Sequence, residues 1–125
     1  MVDDRKHVIS SNITICRSLW RKATGLMFRV PSSDFAYIFH FKRSRFLSVT
    51  MMFVFFPIDI LFLDQNGIVI EMKRSLRPFS HYRTVEKCRS FIELPEGAIR
   101  RHDISMGSKV GWSTRSLYKY ASFHR

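Results

Sequence analysis

Asp59 is the residue whose surroundings are least expected for its chemistry. It is the only carboxylate in residues 46–63, FLSVTMMFVFFPIDILFL, and it follows Pro57 closely. A carboxylate taken out of water has its charged form disfavoured and can then serve as a general acid or base. A carboxylate in the same position can equally pair with an arginine or cap a turn after Pro57, and this structural reading takes precedence, because ion pairs produce such sites too. Arg29 offers the complementary chemistry. Its planar guanidinium can hold a carboxylate or phosphate in bidentate fashion, or it can be the ion-pair partner of Asp59 or Glu93.

The remaining reactive residue types are scattered. His7, His40, His81, His102 and His124 stand alone, with no Cys-x-x-Cys, no His-x-x-x-His and no clustered carboxylates. That pattern gives no metal ligand set, and the expectation is neither metal nor cofactor. A Gly-x-Ser-x-Gly elbow and a glycine-rich phosphate loop are also missing, so no catalytic residues are assigned. A triad assembled from distant positions is compatible with these facts, but the lack of paired acid–base groups ranks binding ahead of catalysis. Met27, Met51 and Met52 can touch a ligand, although methionine more often fills gaps in a core.

These residues must be positioned by a chain of 125 residues, enough for one domain with a real core. The hydrophobic fraction is 46% and twelve residues are phenylalanine, which sets the chain apart from disordered sequences. The formal charge of +11 favours acidic partners and solubility. Its arginines and lysines are spread along the chain, so the expectation is weak, salt-sensitive nucleic-acid binding. Two cysteines, Cys16 and Cys88, cannot build a disulfide framework. The acidic start Met1-Val2-Asp3-Asp4 is followed by no apolar core, so a cytoplasmic location is expected. Residues 46–63 approach membrane-spanning length, but Asp59 would cost on the order of 3 kcal/mol inside a bilayer. The β-branched and aromatic types there predict two buried strands broken near Pro57, with no membrane span.

Alternating patterns predict strands at residues 12–16, 36–42 and 89–94. Two apolar runs flank Asp64-Gln65-Asn66-Gly67 and predict a hairpin, since Asn-Gly tolerates positive φ. A short helix is expected after Ser18, ending near Gly25, with turn chemistry at residues 31–34. One further helical turn is expected at residues 98–101 and a last short strand at 109–112. The first few residues read as loose, residues 77–83 as an irregular connection, and residues 113–125 as a basic aromatic tail without a clear period. The fold class is mainly β: a small antiparallel barrel or sandwich with one or two short helices, in a single domain over residues 1–125.

Four blocks carry a resemblance: Gly25-Leu26-Met27-Phe28-Arg29; Phe56-Pro57-Ile58-Asp59 running on to Asp64, with Asn66-Gly67; Leu76-Arg77-Pro78-Phe79; and Phe91-Ile92-Glu93-Leu94-Pro95-Glu96-Gly97. In this order and spacing they resemble the family called domain of unknown function 192, over a core of about residues 13–112. The resemblance implies a compact, mostly antiparallel barrel or sandwich and supplies no reaction. Many relatives in that family are exported. The family pattern commonly has His, Thr, Met and Arg near Thr50, Met51, Val54 and Phe55, so this chain is more apolar there.

The resulting candidate ligand-binding set is Arg29, Thr50, Asp59, Phe79 and Glu93, around a shallow pocket between the Gly25–Arg29 block and the strand near Asp59. The function expected is a non-catalytic binding module for a small or acidic ligand. The alternatives are a nucleic-acid-associated protein using scattered arginines with Tyr37, Tyr82 and Tyr118, or a hydrolase-like enzyme using Asp59. A monomer is expected ahead of a homodimer, with the second face of residues 46–58 covered within the chain by the short helix before Gly25 or by the tail after Trp112.

Overall fold

The computed structural model describes residues 6–16, 34–52 and 54–121. Among the described residues ten strands run in chain order: β1 (Lys6–Ser10), β2 (Ile13–Cys16), β3 (Ala36–Arg45), β4 (Ser48–Thr50), β5 (Ile58–Leu63), β6 (Val69–Leu76), β7 (His81–Arg83), β8 (Cys88–Pro95), β9 (Val110–Trp112) and β10 (Leu117–Tyr120), with one helix, α1 (Ala98–Arg101), after β8. The protein is mainly β and sandwich-like, without barrel closure.

A five-stranded sheet in the order β2-β3-β8-β5-β6 forms the centre. β2 and β3 run parallel and every other neighbouring pair in it is antiparallel. All six residues of β5 are buried, because this strand is hydrogen-bonded on both edges and covered on both faces. A strand covered on both faces need not alternate apolar and polar residues, which explains the run Ile60 to Leu63, with Asp59 as the one polar residue of the strand. On one face, Ile58, Ile60 and Phe62 join Tyr37, Phe39 and Phe91 in a first core cluster. The β4–β7 ribbon closes it with Val49 and Tyr82. On the other face, Leu61 and Leu63 join Ile38, Ile92 and Leu94 in a second cluster. The three-stranded sheet β1-β10-β9 closes that side with Ile9, Val110 and Leu117, together with Ile99 of α1.

The β5–β6 hairpin forms where the Asn-Gly pair places it, through a different turn. Gly67 alone takes a positive φ, 78°, while Gln65 and Asn66 stay in the ordinary region. The Asp64 carboxylate accepts the N–H groups of Asn66 and Ile68 at 2.8 and 3.0 Å. The result is a tight turn closed by a glycine in the left-handed region.

Four expectations are corrected. Residues 51, 52 and 54–57 are not strand: Met51 O accepts the N–H groups of Val54 and Phe79 at 3.0 and 2.9 Å, which bends the chain there. Residues 6–10 form strand β1, in which polar Lys6 and His7 precede the adjacent apolar Val8 and Ile9, so the sequence shows no alternation there. His81–Arg83 pair with β4 as a short strand inside the expected irregular connection. Within residues 113–125, Leu117–Tyr120 form the middle strand of the three-stranded sheet. Leu117 belongs to the second cluster, whereas Met51, Val54 and Phe56 belong to the first. The helix expected after Ser18, the turn at residues 31–33 and the Gly25–Arg29 block lie outside the described residues. No helix among the described residues is long and apolar enough to cross a membrane.

Candidate functional site

β5 enters the sheet with Asp59 opposite Leu94 of β8, on the face of the second cluster. Asp59 is 1% exposed. A carboxylate so far from water needs hydrogen-bond donors around it. Three backbone N–H groups supply them: Ser75 donates to Oδ1 at 2.9 Å, while Gly97 and Ile99 donate to Oδ2 at 3.1 and 3.0 Å. Asp59 therefore caps a turn, as the structural reading of the sequence held, but the turn is the one after Glu96 rather than the one after Pro57. Its two oxygens tie the end of β6 to the start of α1.

Both tied segments have unusual backbones. Ser75 sits at φ 51° and Gly97 at φ 89°. A left-handed conformation in a residue with a Cβ is strained, and such strain persists only where surrounding bonds hold it. The bond from Ser75 to Asp59 does so here. At Gly97 an added Cβ would lie 2.9 Å from the guanidinium of Arg101, which folds back to donate to Glu96 O at 3.1 Å.

Between these segments opens a cleft of ≈ 430 Å³ lined by Asp59, Arg74, Ser75, Glu96, Gly97, Arg100 and Arg101. Since the Asp59 oxygens face the backbone donors, the charged groups left facing solvent are three guanidiniums and the Glu96 carboxylate. Guanidiniums are planar, permanently charged forks that match carboxylate and phosphate oxygens. The cleft thus presents an excess of cation in a concavity of small-ligand size.

The sequence-derived candidates do not converge on one site. Asp59 lines the cleft, but Glu93 is buried on the other face of the central sheet, opposite Ile60 and Tyr37 in the strand ladders. Thr50 is exposed on β4, and its Oγ1 accepts the N–H of Met52 at 3.3 Å. Phe79, at φ 61° and 50% exposed, meets Phe55 edge to face with ring centroids 5.2 Å apart. Thr50 and Phe79 are neighbours through Met51, whose O accepts the Phe79 N–H. Arg29 lies outside the described residues.

Sequence reasoning treated Arg74, Arg100 and Arg101 only as part of a scattered charge; the signal that marks two of them is the turn Pro95-Glu96-Gly97, which is followed by a helical turn ending in Arg100-Arg101. It also missed Glu71, a third buried carboxylate in addition to Asp59 and Glu93. Glu71 accepts the N–H groups of Val85 and Glu86 at 3.0 Å and the hydroxyl of Tyr82. Burial, followed by the Glu71 hydrogen bond and charge, pushes the Tyr82 phenol up to about 12. Nearby, burial and then the Glu71 charge push the Cys88 thiol up to about 11. Among the described residues no group of three or more His, Cys, Asp or Glu could hold a metal ion.

A sandwich-like β protein with a basic cleft beside a buried structural aspartate is the class these features define. Residues 1–112 match the family described as DUF192, Uncharacterized ACR, and the chain belongs to that family. It is similar to the UPF0127 protein of Pyrococcus horikoshii, with 29% identity over 82% of this chain and 88% of that protein. A UPF0127 protein of Thermococcus sibiricus is 28% identical over 84% of this chain and 68% of the relative. Among solved structures, a protein of unknown function from Novosphingobium aromaticivorans superposes with a TM-score of 0.73 at 23% identity, over 80% of this chain and 74% of that one. A candidate transcription regulator from Sinorhizobium meliloti superposes with a TM-score of 0.72 at 22% identity, over 86% and 80%. These two likenesses support the fold alone.

Proposed function

We propose that the protein is a binding module for a small anionic ligand, such as a carboxylate or phosphate compound, held in the cleft at the end of β5. The observation that carries this reading is the convergence of Arg74, Arg100 and Arg101 around one concavity. The loops presenting them are fixed by the three backbone bonds to Asp59. A pre-formed cationic wall loses little freedom on binding, which favours affinity. In this reading Asp59 is a positioning residue, Ser75 adds a hydroxyl to the wall, and no group acts as a catalytic acid or base. The single-domain arrangement, a monomeric state and a cytoplasmic setting complete the proposal, the last supported by two buried free thiols.

Citrate and inorganic phosphate are suitable probes. Each is expected to raise the thermal midpoint beyond a sodium chloride control of equal ionic strength, because a ligand of the folded state stabilises it. Arg74→Ala and Arg100→Ala, both at exposed positions, should fold normally and lose that shift. An undiminished shift in the folded variants would show that the anion binds elsewhere.

A further inference from the structure

The outer face of the three-stranded sheet carries side chains that the cleft does not use. Leu117 of β10 is 0% exposed in the second cluster, so by the strand's period of two Tyr118 and Tyr120 both project to the opposite face. Their rings meet each other edge to face, with centroids 5.3 Å apart at 88°. Both also reach Gly111 of β9, where an added Cβ would stand 3.0 Å from the Tyr118 ring and 3.3 Å from the Tyr120 ring. The two rings therefore share the face opposite Leu117, and Gly111 is the floor on which they lie. Gly111 stands opposite Tyr118 in the ladder.

Cations border the rings on both sides. Lys6 of β1, opposite Tyr120, holds its Nζ 4.5 Å from the Tyr118 ring centre and 5.9 Å from that of Tyr120. Lys109 holds its Nζ 5.5 Å from the Tyr120 ring centre. Val8, opposite Tyr118, is 51% exposed. β1, β9 and β10 contain no acidic residue. Lys119 takes no part, because its Nζ is turned to Asp103 O at 2.7 Å.

We propose that this face is a platform for single-stranded nucleic acid. Aromatic faces on a sheet accept unstacked bases whatever their sequence, and neighbouring lysines meet the phosphates. A duplex hides its base faces and gains only the phosphate contacts. An acidic peptide would engage the lysines and leave the rings without a partner, and Val8 alone offers too little apolar surface for a lipid bilayer. The +11 charge of the chain draws a polyanion towards it. This proposal stands independently of the anion cleft, since it uses none of the cleft residues.

The test is fluorescence anisotropy with a labelled oligothymidylate of about twelve nucleotides, a length within the range one β domain covers. A duplex of equal length is the comparison, and inorganic polyphosphate is the competitor. Tighter binding of the single strand than of the duplex is expected, with polyphosphate a poor competitor. A variant with Tyr118→Leu and Tyr120→Leu keeps apolar bulk but loses stacking, and is expected to bind about tenfold or more weakly. Lys6→Gln should weaken binding and flatten the logarithmic salt dependence by about 0.7. If the tyrosine variant does not fold, ring-proton NMR shifts of Tyr118 and Tyr120 in the unaltered protein replace it, and these should move on adding oligonucleotide. Unchanged affinity in folded variants, immobile ring shifts, or equal binding of duplex and single strand would each overturn the proposal. The Arg74→Ala variant is expected to bind the oligonucleotide normally, which separates this face from the cleft.

Discussion

The backbone N–H of Ile99 donates to Asp59 Oδ2 at 3.0 Å, joining the start of α1 to the second residue of β5. This bond and its two companions give a buried carboxylate a purely structural occupation. They also set where the arginines of the cleft stand.

Asp59→Asn should therefore be costly without any catalytic step being involved. The amide keeps one acceptor oxygen for three donors and turns an N–H₂ towards at least one of them. A loss of about 2–4 kcal/mol is expected in denaturant unfolding, from weakened charge-assisted bonds and an unpaired buried donor. An unchanged midpoint would remove Asp59 from this role.

Gly67 and Gly107 separate backbone strain from steric conflict. Both have positive φ, 78° and 90°, but an added Cβ meets Val110 O at 2.6 Å at Gly67 and nothing within 4 Å at Gly107. Gly107→Ala should cost about 1 kcal/mol. Gly67→Val should cost about 2–4 kcal/mol, because strain and overlap with backbone add together. Equal losses at the two positions would refute the close approach of Gly67 to β9.

Acid should loosen the fold through histidine. His7 and His102 are joined Nε2 to Nδ1 at 2.9 Å, a contact that requires one ring nitrogen to be unprotonated. Burial, then the charges of His7 and Arg101, lower the His102 pKa, with Lys119 acting the same way and Asp34 opposing. Burial and then Arg89 lower that of His40. With folded values below the ordinary one near 6.5, the unfolded chain binds more protons in that window. Stability should be level above about pH 6.5 and decline below it. His102→Gln should reduce this slope, and adding His40→Gln should reduce it further; an unaltered slope in both variants contradicts the assignment.

Cys88 should resist thiol reagents in the folded protein. It is 0% exposed, donates to Glu86 O at 3.3 Å, and titrates near 11 because of burial and the Glu71 charge. The thiolate is the reactive form, so almost none is present at neutral pH. Mass spectrometry after a maleimide pulse should find Cys88 unlabelled until denaturant unfolds the chain; rapid native labelling would contradict its burial.

The sequence by itself determined the strands whose side chains carry a strong local pattern. Residues 12–16, 36–42 and 89–94 alternate, and all but Asn12 lie in strands. The apolar runs around Asp64–Gly67 fold back as a hairpin because Gly67 can take a positive φ where other residues resist it. The four blocks likewise led to the family. Local pattern failed where a strand is exposed, as at Lys6–Val8, or where a long apolar run bends in a loop, as at residues 54–57. In both places side-chain type is set by what packs on the segment, not by its own period. Tertiary structure alone decided the candidate site. Asp59 is bonded to Ser75, Gly97 and Ile99 because the strand order β8-β5-β6 places the ends of β6 and β8 on either side of it. Glu93, an equally plausible carboxylate in the sequence, points to the opposite face because it stands across from Ile60 rather than Asp59 in the ladder. Register is a long-range property, and a one-residue difference in it sends a side chain to the other side of a sheet. For the same reason Arg74, Arg100 and Arg101, ordinary charges in the chain, become neighbours around one cleft only once the strands have paired.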